Sequence, residues 1–181
     1  LKNVGLDSER DVFLNPMGGT GASRLAALES GMVDAVILES PENFIAQRKG
    51  FRELIFFGDQ VEFPQNGFGT SEKKLKENPD EVFRMVRATL RGLAFSWDKR
   101  NHDQAIDIIM REMKPIGVAL ANESLGQVMR VITKDGSVKA ESIQVLIDLV
   151  RENAKVARPV AVNQVVDFSF LERAQKELGL R

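Results

Sequence analysis

At 181 residues, with 43% apolar and 28% charged side chains, the chain can bury about 70% of the surface its unfolded form exposes, which excludes a disordered or low-complexity polypeptide. Twenty-five Lys and Arg stand against 26 Asp and Glu, so no basic field recommends a nucleic-acid partner. Cysteine is absent and histidine occurs once, as His102, which removes disulfides, thiolate metal sites, Cys nucleophiles and His-rich metal clusters.

In chain order, Asp11–Asn15 reads as a strand stopped by Pro16, followed by the loop Met17-Gly18-Gly19-Thr20-Gly21. Good helix formers from Ala22 to Ser30 predict a helix, with Leu25 and Leu28 on one side and Gly31 as its stop. Asp34–Leu38 is an apolar run of strand length. Ser40-Pro41-Glu42 predicts the next helix start, with Ser as N-cap, Pro at the first position and an acid in the first turn. That helix ends at Gly50, and Glu53–Phe57 reads as a third strand. The alternation of strands and helices predicts a parallel sheet with right-handed crossovers. Three strands are few for such a sheet, so the organisation reads as the later half of a larger α/β protein.

Beyond Gly58 the pattern changes. Residues 63–70, rich in Gly, Pro and Asn, read as a connector with one extended stretch, and the chain is helical from Ser71 onward. Asn78-Pro79-Asp80-Glu81 opens a helix that carries Val82, Val86, Leu90, Leu93 and Trp97 at helical spacing. Further helices are predicted over 102–113, 118–131 and 140–157, the last with a buried stripe of Ile143, Leu146, Ile147 and Val150, and a final one over 168–178.

The glycine loop is the first candidate for chemistry. It joins a predicted strand to a helix start, where unpaired amides favour an anion or a polar group. A connection whose Thr or Ser merely caps the helix explains the same residues, and both readings stay open. Glu39 and Ser40 end the second predicted strand on the same presumed edge, and Asn15 ends the first. Gly19-x-Gly21 with Glu39 imitates a dinucleotide fingerprint, but its third glycine is replaced by Arg24, which argues against a nucleotide-dependent oxidoreductase. Arg84, Arg87 and Arg91 form a basic stripe beside Asp80 and Glu81, read as a solvated helix face. His102 reads as surface and Trp97 as core, and Gly-x-Ser-x-Gly does not occur. No catalytic residue, metal ligand or cofactor site is assigned.

The stretch Arg24-Leu-Ala-Ala-Leu-Glu-Ser-Gly-Met-Val-Asp-Ala-Val-Ile-Leu38 resembles a segment of the NMT1/THI5-like solute-binding proteins of ABC importers for nitrate, sulfonate, taurine and thiamine-pyrimidine-like compounds. Pro41 at a helix start, Lys49-Gly50-Phe51, Asn78-Pro79-Asp80 before a helix with Arg87-Ala88, then Asp167 and Glu177-Leu178-Gly179 continue the likeness. The resemblance implies an α/β, periplasmic-binding-protein-like fold of type II. Residues 1–62 would be part of the second, parallel-sheet lobe. Residues 63–181 would form a return strand and C-terminal helices on a first lobe that is mostly absent.

It further implies a small solute held by Asn15, Met17, Gly18, Gly19, Thr20, Glu39 and Ser40, and delivery to a membrane permease. The protein would be periplasmic or extracellular, or anchored as a lipoprotein, with a signal peptide in its precursor. No run approaches the roughly 20 apolar residues that cross a bilayer. The sequence begins at Leu1 rather than Met, and the chain is expected to be processed or cut from something longer. The alternative within the same superfamily is an enzyme making the thiamine pyrimidine precursor, whose Lys, His and Cys would lie upstream. Self-association through an exposed sheet edge is a further expectation.

Overall fold

The computed structural model describes residues 5–7, 10–62, 64, 66–113 and 116–180, in two compact units, Leu1–Glu53 and Leu54–Arg181. In the first unit, α1 (Gly21–Glu29) and α2 (Glu42–Arg48) pack together and bury Leu25, Ala27 and Ala46. Both helices leave through a left-handed glycine. Gly31 has φ +71° and Met32 N–H bonds the Ala27 carbonyl at 3.0 Å; Gly50 has φ +89° and Phe51 N–H bonds the Ala46 carbonyl at 3.1 Å. Such exits satisfy carbonyls that the last turn leaves unpaired. An ion pair of 2.6 Å joins Lys49 to Glu29, a partly exposed contact worth at most about 1 kcal/mol.

The predicted parallel sheet is absent. No strand occurs among the described residues, and the chain is helical rather than α/β. The predicted strands Asp11–Asn15, Asp34–Leu38 and Glu53–Phe57 have the composition of strands, yet no backbone hydrogen bond joins any of them to another among the described residues. Several of their apolar side chains face solvent instead: Phe13 is 92% exposed and Leu54 78%, while Val12, Val36, Leu38 and Phe56 are half-buried. An apolar run supplies propensity, but a strand needs a second edge aligned with it, and that edge is non-local. The expected type II lobe and its return strand are therefore corrected. Of the connector over 63–70, residues 63 and 65 lie outside the described residues, and 66–70 are irregular.

The second unit contains α3 (Glu72–Glu77), α4 (Pro79–Trp97), α5 (His102–Glu112), α6 (Val118–Val131), α7 (Ala140–Asn153) and α8 (Ser169–Glu177). Ser71 caps α3, its hydroxyl accepting from Lys74 N–H at 3.1 Å. Pro79 opens α4 as predicted, but Asn78 contributes its backbone carbonyl rather than a side-chain cap. The apolar face of α4 meets α8 in a core of Phe83, Leu90 and Ala174, flanked by Val86, Leu93, Phe170 and Leu171. Arg87 pairs with Glu177 across this contact, while the Arg173 guanidinium lies 3.7 Å from the Phe83 ring centre. One arginine of the predicted stripe is thus structural; Arg84 and Arg91 remain exposed.

Three details depart from the periodicity. Trp97 is only half-buried, with Lys134 Nζ 4.9 Å from its ring centre. Of the predicted α7 stripe, Ile143 is buried but Val150 is 58% exposed. That helix also stops before 157, because Lys155 takes φ +54° and Val156 N–H returns to the Arg151 carbonyl. His102 is exposed, as expected, and links α5 to α6 through a 2.8 Å bond to Asn122 Oδ1. Asn122 Nδ2 donates to the Val118 carbonyl, so Oδ1 accepts and His102 must carry its proton on Nε2.

Glycine inside a helix is a liability where nothing requires it. Gly92 in α4 and Gly126 in α6 have open space where a Cβ would stand. Gly92→Ala and Gly126→Ala are each expected to stabilise the second unit by about 0.5–1 kcal/mol. Urea denaturation followed by the fluorescence of Trp97, the sole tryptophan, measures the rise in midpoint.

Candidate functional site

The loop from Asn15 to Thr20 lies on the first unit's surface: Asn15, Gly18, Gly19 and Thr20 are exposed and Met17 is half-buried. Gly19 has φ +97°, and a Cβ there would stand 2.6 Å from Ser23 Oγ. This turn brings Thr20 to the start of α1, where its hydroxyl accepts from Ser23 N–H at 3.3 Å and its carbonyl accepts from Ser23 Oγ at 2.8 Å. Thr20 is therefore the N-cap. The capping role and the ligand role considered for this loop coexist, because one cap satisfies one amide. The N–H groups of Gly21 and Ala22 have no partner among the described residues.

A neighbour that sequence reasoning missed shares this helix end. The Glu42 carboxylate stands 2.7–3.0 Å from the place a Cβ on Gly21 would occupy. The residues alone assign Glu42 only to the first turn of its own helix. Packing of α1 on α2 instead puts its negative charge at the positive end of the α1 dipole. The one signal in the sequence is its place next to Ser40 and Pro41, on the predicted ligand edge.

Glu39 is exposed, and its side chain has no hydrogen-bond or ion-pair partner among the described residues. Its carbonyl accepts from Asn43 N–H at 3.1 Å. Ser40 is half-buried and its hydroxyl lies 3.4 Å from Asn43 Oδ1. Pro41, not Ser40, is the N-cap position of α2, and no side chain caps that helix. The structure thus joins Gly19, Thr20, Gly21 and Glu42 at one helix end. No hydrogen bond ties Asn15 or Met17 to Glu39 or Ser40 among the described residues. Arg24, the residue that breaks the dinucleotide fingerprint, is half-buried on α1.

Elsewhere, a pocket of about 70 Å³ lies in the second unit between Ser137, Val138, Phe168, Leu171, Glu172 and Gln175, well below the ~300 Å³ at which solute pockets begin. Among the described residues no group of three or more His, Cys, Asp or Glu could hold a metal ion. No helix among them is long and apolar enough to cross a membrane.

A model of the NMT1/THI5-like family matches residues 1–101. The match spans more than half of the chain, which belongs to that family and is thereby a solute-binding or related protein. This agrees with the resemblance carried by residues 24–38 and includes every residue of the candidate site. Comparison with curated proteins found no match, and comparison with solved structures found none either.

Proposed function

We propose that the chain belongs to an extracytoplasmic solute-binding protein that captures a small polar or anionic organic solute and passes it to an ABC permease. The solute class is a sulfonate, nitrate, taurine or a pyrimidine-like compound. The observation that carries this reading is the exposed glycine loop at the start of α1, whose Gly21 and Ala22 amides have no partner among the described residues, inside the family-matched region. Such amides bind an oxyanion or a carbonyl without covalent chemistry. Asn15, Met17, Gly18, Gly19 and Thr20 would surround the solute from one side, and Glu39 and Ser40 would accept or donate hydrogen bonds from the other.

Glu42 tunes this choice. Its carboxylate opposes a second anion at the same helix end and favours a solute that also carries a hydrogen-bond donor. Glu42→Gln is expected to tighten binding of a purely anionic solute by about threefold, as follows from the ~0.3–1 kcal/mol of an exposed helix-end charge.

The test is a thermal-shift and calorimetric panel of nitrate, taurine, alkylsulfonates and pyrimidines, run on this protein and on Gly18→Val. A Cβ on Gly18 meets nothing within 4 Å, so that variant folds and only covers the loop. A solute that raises the unfolding temperature of the protein, but not that of Gly18→Val, supports the reading. No stabilisation by any solute, or equal stabilisation of both proteins, rejects it.

A further inference from the structure

Asn66-Gly67 lies in the irregular stretch before α3, and both residues are exposed. Among the described residues the Asn66 side chain has no hydrogen-bond or ion-pair partner, and the Gly67 N–H donates to nothing. No other described asparagine has such a neighbour. Asn15 and Asn78 precede Pro16 and Pro79, which carry no N–H. After Asn43, Asn153 and Asn163, the next amide is engaged: Phe44 N–H bonds the Pro41 carbonyl at 3.1 Å, Ala154 N–H that of Val150 at 2.9 Å, and Gln164 N–H that of Ala161 at 3.0 Å. His102 N–H, after Asn101, bonds the Lys99 carbonyl, and Asn122 lies inside α6.

We propose that Asn66 is a site of spontaneous covalent modification, converted in water to aspartate and isoaspartate by attack of the Gly67 amide nitrogen on its side chain. The Gly67 N–H gives its proton to solvent, a bond forms from that nitrogen to Asn66 Cγ, and the Cγ–Nδ2 bond breaks with Nδ2 leaving as ammonia. The product is a cyclic imide. Water then opens it at one of two carbonyls. Opening at Cγ leaves aspartate in the ordinary main chain; opening at the main-chain carbonyl carbon leaves isoaspartate, whose main chain runs through the side-chain methylene. Water is the only co-reactant, and one ammonia is released for each water consumed.

The reacting groups sit on adjacent residues, so the attack is intramolecular and needs only a turn about the Asn66 backbone and side chain. No hydrogen-bond ladder resists that turn, and glycine puts no Cβ beside the attacking nitrogen. Asp135-Gly136 supplies an internal contrast. It offers a carboxylate in place of an amide, and its Oδ1 accepts from Ser137 N–H at 3.0 Å and Ser137 Oγ at 2.6 Å. Gly136 is packed under Leu90 and Leu171, so the imide geometry is closed to that pair. Conversion at Asn66 adds one negative charge to a chain of net charge −1. It leaves the Ser71 cap of α3 intact, so the helices are unaffected.

The test incubates the intact chain at mildly alkaline pH in heavy-oxygen water and digests it in ordinary water, so that only conversion on the folded protein carries label. By mass spectrometry the tryptic peptide 53–73 is expected to gain labelled aspartate and isoaspartate at position 66. The rate should rise with pH, because the deprotonated amide attacks, while helical circular dichroism stays unchanged. It is expected to lie within about tenfold of the rate in the isolated peptide 53–73, since an exposed, unbonded segment opens at almost no cost. A Cβ on Gly67 meets nothing within 4 Å, so Gly67→Ala folds and is expected to slow conversion at least about threefold, through the backbone freedom and open approach lost with glycine. Asn66→Gln, which would have to close a larger ring, is expected to abolish it. A folded chain more than about tenfold slower than the peptide overturns the inference. So does an unchanged rate in Gly67→Ala, or label that appears first at another asparagine or at Asp135.

Discussion

Leu90→Ala is expected to cost the second unit about 2–5 kcal/mol. Leu90 is 2% exposed and sits between Phe83 and Ala174 at the centre of the α4–α8 contact. Its removal leaves a cavity that rigid neighbours cannot close, because Phe83 is pinned beneath Arg173 and α8 is tied to α4 by Arg87 and Glu177. Urea denaturation read by Trp97 fluorescence should show a lower midpoint with an unchanged slope. A loss below about 1 kcal/mol would mean that the core lies elsewhere.

Gly136→Ala is expected to cost about 2–4 kcal/mol, through two causes that act together. Gly136 has φ +73°, and a Cβ there would stand 2.9 Å from Leu90 Cδ2 and 3.3 Å from Leu171 Cδ1. Helical neighbours hold those side chains, and the loop cannot retreat easily. Gln175, fully buried, donates from Nε2 to the Asp135 carbonyl at 2.8 Å, and Asp135 in turn accepts from Ser137 Oγ at 2.6 Å. The two substitutions should not add. In the double variant the methyl introduced at position 136 enters space vacated by Leu90, so the combined loss should fall short of the sum by about 0.5–3 kcal/mol. Strict additivity would show that the backbone conformation, rather than the contact, makes glycine necessary at this position.

These predictions concern helices, and helices are what could be read in advance. Thr20, Ser71 and Pro79 mark starts, and Gly31, Gly50 and Gly179 mark ends; each lies within a residue or two of its role in the structure. The α6 boundaries at Val118 and Val131 also follow from the residues alone. Lys155 escaped notice because a lysine in a left-handed exit has no local signature. It is stabilised there by the Val156 N–H bond and by Arg151, which donates to the carbonyls of Ala157 and Arg158.

The candidate site was legible in part. The glycine loop and its capping threonine are where the residues place them, whereas the Glu42 carboxylate came to light only when α1 was seen against α2. By itself the sequence determined most helices, the glycine exits of α1, α2 and α8, and family membership, because a helical hydrogen bond spans four residues and its signals lie side by side; the Ser40 cap and the end of α7 it did not. Only tertiary structure decided that Asp11–Asn15, Asp34–Leu38 and Glu53–Phe57 form no sheet, that Arg87 holds α8, and that Glu42 shares the end of α1. Each of those outcomes depends on which distant groups the chain brings together, and nothing in a residue's neighbours along the chain specifies that.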